Sequence, residues 1–161
     1  MYLEILTPVH VVISLIAILA GFVVIFGMIG GNPLEGWTKV FLDMTVTTSV
    51  TGFFFPIHGV TPGIVIGLIS LVVLAFALVA RYSQGMAGGW RKTYVFTAIF
   101  AQYLNFFVLV VQSFEKVPAL RALAPTQKEP PFAITQLVVL VVFIALAILS
   151  AIKFRGQTRP A

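Results

Sequence analysis

The sequence predicts an all-α fold, a polytopic bundle of transmembrane helices with five spans, and three observations carry that prediction. Mean hydropathy is +1.07. Charged residues make up 9% of the chain, where soluble proteins carry roughly a quarter. Four apolar stretches each reach the roughly 20 helical residues that a hydrocarbon core about 30 Å thick requires. The 161 residues read as a single integral membrane domain with spans near 8–30, 37–57, 62–82, 90–114 and 131–154.

The first span is expected to start at Thr7-Pro8, where a proline costs no internal hydrogen bond, and to stop at Gly30-Gly31. The segment before it, MYLEILTP, lacks the basic start of a signal peptide, so this span is expected to stay in the membrane. GGNPLEGW is a turn-rich connector. The segment that follows is much more polar, with Lys39, Asp43, Thr45, Thr47, Thr48, Ser49 and Thr51.

Loop charges arbitrate its path. Five crossings put Lys39, Arg81, Arg91, Lys92, Lys153, Arg155 and Arg159 on one side and Lys116, Arg121 and Lys128 on the other. That asymmetry gives an outside N-terminus and a cytoplasmic C-terminus under the positive-inside rule, with a bacterial inner (plasma) membrane as the expected setting. Trp37, Tyr82, Trp90 and Tyr94 gather at the same inner boundary, as an aromatic belt does. The alternative is four spans, with 37–58 re-entrant or interfacial; it moves Lys39 across and weakens the charge signal.

Thr61-Pro62 opens the third span, and SQGMAGG separates it from the fourth. FEKVPALRALAPTQKEPPF is long for a connection, and its VPALRALA portion has the apolar spacing of a short interfacial helix. It either covers a cavity mouth near His10, His58 and Gln112 or packs on the bundle as a plain connector. Pro130-Pro131 opens the fifth span.

Polar residues fall on faces. At 100° per residue, Asp43, Thr47, Thr51 and His58 lie within about an 80° arc of a straight helix. On the fourth span Tyr94, Ala98, Ala101, Asn105 and Gln112 lie within about a 60° arc, with Gln102 at its margin. His10, Ser14, Ala17 and Gly21 share a face of the first span. Lipid cannot satisfy such groups, so the three faces should meet in a polar seam of Asp43, Thr47, Thr51 and Gln102 with the first span.

His10 and His58 are the only histidines. A short connection between antiparallel spans would put both near the outer interface, where two neutral imidazoles could hold a b-type haem, with Asn105 and Gln112 nearby. Asp43 is the only acid within a predicted span. Intramembrane acids handle protons or cations in many proteins, but Lys39 four residues earlier offers Asp43 an ion pair.

The chain has no cysteine, which excludes disulfides, thiolate metal sites and cysteine nucleophiles. Nucleotide-binding, zinc-protease, hydrolase-elbow and EF-hand patterns are absent, and no basic face with interleaved aromatics suggests nucleic acid. No metal site is expected. The leading expectation is therefore a non-catalytic accessory or small-ligand-binding membrane subunit. Its partners would be the lipid bilayer and either further copies of itself or a membrane complex. Haem b or quinone electron transfer and proton or solute transport are the alternatives.

Overall fold

The protein is described by a computed structural model covering residues 1–56 and 58–155. Among the described residues it is helical with no strand, in the order α1 (Tyr2–Ile29), α2 (Glu35–Gly52), α3 (Pro62–Leu78) extended by a π-helical turn (Val79–Ser83), α4 (Trp90–Lys116), α5 (Pro118–Leu123) and α6 (Pro130–Lys153). Four elements are long and apolar enough to cross a membrane: α1, α3 with its π turn, α4 and α6. α2 stands apart. At 18 residues it is about 27 Å long, but it carries Glu35, Lys39 and Asp43 besides its hydroxyls.

α1 begins six residues before the expected Thr7-Pro8 start, and Pro8 lies inside it. Proline in the second turn withholds a donor from the Glu4 carbonyl, and Glu4 is exposed near the helix tip, where solvent can replace that donor. The extra turns have their own anchor. The Tyr2 hydroxyl donates to the Phe54 carbonyl at 3.0 Å, just beyond the end of α2.

α2 runs antiparallel along α1 from end to end. Tyr2 meets Phe54 and His10 meets Thr51 at one end, and Leu34 packs into the notch at Gly27 at the other. A Cβ on Gly27 would come within 2.4 Å of Leu34 Cδ1, so glycine makes the room. Leu34 adopts a left-handed backbone (φ 41°, ψ 59°) as the cap of α2, an unfavourable conformation for leucine that this packing offsets.

α3 starts where the sequence places it, with the Thr61 side chain accepting from Ile64 N–H. α4 packs against α1, α2, α3 and α6, burying Tyr94, Val95, Ala98, Ile99, Ala101 and Gln102. α6 joins it through aromatics: Phe143 packs on Tyr103 and Phe106, and Phe22 of α1 closes the group at 5.6 Å from Phe106 and 5.9 Å from Phe143. Most of α6 is apolar surface turned outward.

The long connection forms its short helix, α5, and packs with Ala124 against Val110 and Phe114 of α4 and Phe132 of α6. Gln127 donates to the Val111 carbonyl at 3.0 Å. Glu129 then leads into α6. Hydrogen bonding from the Thr126 hydroxyl, followed by backbone N–H groups of Thr126 and Lys128, holds its exposed carboxyl below the ordinary value. This connection packs on α4 and α6, as the plainer of the two expectations had it. Arg159, one of the cations counted for orientation, and Ile57 lie outside the described residues.

Candidate functional site

The polar seam is built from α1 upward. His10, Ser14, Ala17 and Gly21 recur at spacings of four and three, which keeps them on one helix face. α2 approaches antiparallel, so the partners come in reverse order. His10 Nδ1 lies 2.8 Å from Thr51 Oγ1, and Ser14 Oγ lies 2.5 Å from Thr48 Oγ1. One turn deeper, Asn105 of α4 donates to Thr45 Oγ1 at 3.2 Å. Below that, Gln102 donates from Nε2 to the Ile18 carbonyl at 2.7 Å. Three helices are thereby fixed in a single register.

Proton positions follow from the partners. Ser14 donates its only hydroxyl hydrogen to the His10 carbonyl at 2.7 Å, so Thr48 must be the donor to Ser14. Thr51 donates to the carbonyls of Thr47 (2.8 Å) and Thr48 (3.2 Å), so it accepts from His10, which assigns the Nδ1–H tautomer. The Ser14 and Thr51 protons therefore end on backbone carbonyls, and the Thr48 proton on Ser14 Oγ. His10 Nε2 is left as an unused acceptor by this assignment, and Gln102 Oε1 is buried without a partner.

Gln102 is fully buried and occupies the space that Gly21 leaves. A Cβ at 21 would lie 2.2 Å from Gln102 Oε1 and 2.3 Å from its Cδ. With the carboxamide in this position, a side chain at 21 has no room.

The structure brings together some of the sequence-predicted residues and separates others. His10, Thr51, Asn105 and Gln102 lie in the seam. Thr47 is half-exposed and Asp43 exposed, because the face of α2 turned inward is Thr38, Phe41, Leu42, Thr45, Thr48 and Ser49. The stripe on α2 is thus rotated from the expected one. The apolar pair Phe41 and Leu42, followed at spacings of three and four by Thr45, Thr48 and Ser49, is the signal that could have found it. No Lys39–Asp43 ion pair forms among the described residues; the two that do are Met1–Glu4 and Arg81–Glu35.

Gln112 is exposed and turns to Glu115 at 3.4 Å. His58 is exposed in the α2–α3 connection. The His10 ring instead packs edge-on against Phe55 at 5.2 Å. Among the described residues, no three His, Cys, Asp or Glu gather as metal ligands would.

A second polar group, around Arg81, lies at the opposite end. Arg81, with its side chain 3% exposed, donates to Glu35 at 2.5 Å and lies 5.1 Å from the Tyr94 ring. The π turn places it there: Gln84 N–H reaches back to Val79 and Met86 N–H to Ala80, so the widened turn aims Arg81 inward. Nearby Arg91 donates to the carbonyls of Ala151 and Phe154, which closes the end of α6. Comparison of the chain with protein-family models, with curated proteins and with solved structures returns no match, so its functional assignment rests on this geometry.

Proposed function

We propose that the chain is a five-span protein of a bacterial inner membrane, N-terminus outside, with a non-catalytic accessory or small-ligand-binding role. Four apolar helices make it a membrane protein by composition. The fifth crossing is supported by the pairing of α2 with α1: the two ends of α2 sit level with opposite ends of a helix that spans. The non-catalytic role is supported by the closed direction of the seam. The Ser14 and Thr51 protons are spent on backbone carbonyls and the Thr48 proton on Ser14, which suits interhelical packing rather than presentation of donors to a substrate.

Topology labelling tests the crossing. The chain has no cysteine, so Asn32→Cys and Val60→Cys each give one reporter; both positions are exposed, Asn32 in the α1–α2 connection and Val60 in the α2–α3 connection. A membrane-impermeant maleimide should reach them from opposite faces. Labelling from one face rejects five spans. The accessory role predicts that the gently solubilised chain travels with other copies or membrane proteins on native gels, and turnover by the isolated chain would overturn it.

A second reading, ligation of a b-type haem through His10 with His58, is favoured by one observation. With Nδ1 hydrogen-bonded to Thr51, His10 keeps Nε2 as a free lone pair held in a fixed ring orientation. Protein purified after haem supply would show a Soret band that is lost in the His10→Ala variant. A colourless protein, or a band unchanged in that variant, removes this reading.

A further inference from the structure

The outward face of α2 poses a problem that the chain alone leaves open. Gly36, Val40, Asp43, Thr47 and Val50 follow one another at spacings of four, three, four and three, the repeat of a helix-pairing seam. Gly36, Val40, Asp43 and Val50 are exposed and Thr47 half-exposed. Asp43 is the ninth of 18 residues, about 12 Å from the helix start and therefore deep in the bilayer if α2 crosses. A carboxylate at that depth does not face lipid unaccompanied. Lys39, one turn away on the same side, is exposed as well, and the two form no ion pair with each other among the described residues.

We propose that this face binds a second copy of the chain, two α2 helices pairing about a two-fold axis along the membrane normal, with Lys39 of each copy reaching Asp43 of the other. The inference rests on the five-span reading. A second copy is the occupant that the face itself specifies: it carries both signs one turn apart, so two identical faces complement each other under a two-fold, and closed two-fold dimers are the commonest oligomers. Lysine is long enough to reach across one turn. Gly36 faces open space in this chain, and its lack of a Cβ lets the helix backbones approach closely. Val40 and Val50 supply the apolar contacts to either side of the charged layer.

The test uses single cysteines in the full-length, cysteine-free chain in its own membrane. Oxidation should convert Val50→Cys into a disulfide-linked homodimer while Leu68→Cys, 54% exposed on α3, stays monomeric. Adding Asp43→Lys to Val50→Cys should abolish the dimer band by opposing like charges, and adding Lys39→Asp as well should restore it. Separate Asn32→Cys and Val60→Cys proteins are labelled in membranes prepared in the same way. Labelling from opposite faces with no dimer at residue 50, or with equal dimer at 50 and 68, overturns the pairing and leaves five spans standing. Labelling from one face overturns the five-span reading and this inference with it.

Discussion

α1 and α2 meet mainly through hydroxyls and an imidazole, whereas α4 and α6 meet mainly through aromatic rings, with Gln136 donating to the Phe107 carbonyl at 3.2 Å and Arg91 closing the helix end. Helices gain no hydrophobic driving force from meeting in a bilayer, so packing and interhelical hydrogen bonds must hold them. The Ser14–Thr48 and His10–Thr51 contacts are directional and admit one register. The contacts among Phe143, Tyr103 and Phe106 have centroids 5.7 to 5.8 Å apart at interplanar angles of 44 to 62°, an arrangement that can slide or re-pack. The polar contacts specify position, through most of the α1–α2 pair and at Gln136 and Arg91 between α4 and α6, and the rings supply adhesion.

The largest expected effect is at the crossing of α1 and α4. Gly21→Ala forces a Cβ against a fully buried carboxamide and should destabilise by about 3 kcal/mol, the upper part of the usual range for overpacking. Unfolding in detergent with increasing dodecyl sulfate, followed by circular dichroism, reads it. A wild-type midpoint would mean that Gln102 can leave its slot.

Phe143→Ala should come next. Such a deletion in a soluble core costs about 3–5 kcal/mol, but here the separated helices remain in lipid, which removes most of the transfer term and leaves about 1–2 kcal/mol of packing. Phe143→Leu should recover most of the loss, because adhesion without strict geometry tolerates a change of shape. Equal damage from both would assign the rings a positioning role.

Ser14→Ala is expected to cost least, about 0.6 kcal/mol and at most about 1.7 kcal/mol, although it leaves Thr48 without its acceptor. Its signature is different. Disulfide trapping between cysteines at residues 17 and 45 should become less selective over neighbouring pairs, whereas Phe143→Ala should leave that selectivity unchanged. The reverse pattern would erase the contrast between the two regions.

The element order was legible in the sequence because apolar length and helix-starting prolines are local signals: Pro62, Trp90 and the Pro130-Pro131 pair mark starts that the structure places within one residue. The start of α1 was not legible, because the Tyr2–Phe54 bond that carries the helix past Pro8 joins residues 52 apart. The rotation of α2 was misread for a related reason. Ranking its faces by polarity favoured Asp43 and Thr47, whereas burial follows the apolar partners Phe41 and Leu42 and brings Thr45 and Thr48 inward with them. The inward turn of Arg81 had no sequence signal, since a π turn is a choice made by the assembled neighbours.

That widened turn has one further implication. A cation at the end of a span ordinarily reaches for headgroups and helps to fix the depth of its helix, yet Arg81 is withdrawn from them and neutralised by Glu35. α3 therefore has no charged mooring at this end, only the exposed Tyr82 ring, and its height in the bilayer depends the more on the helices beside it.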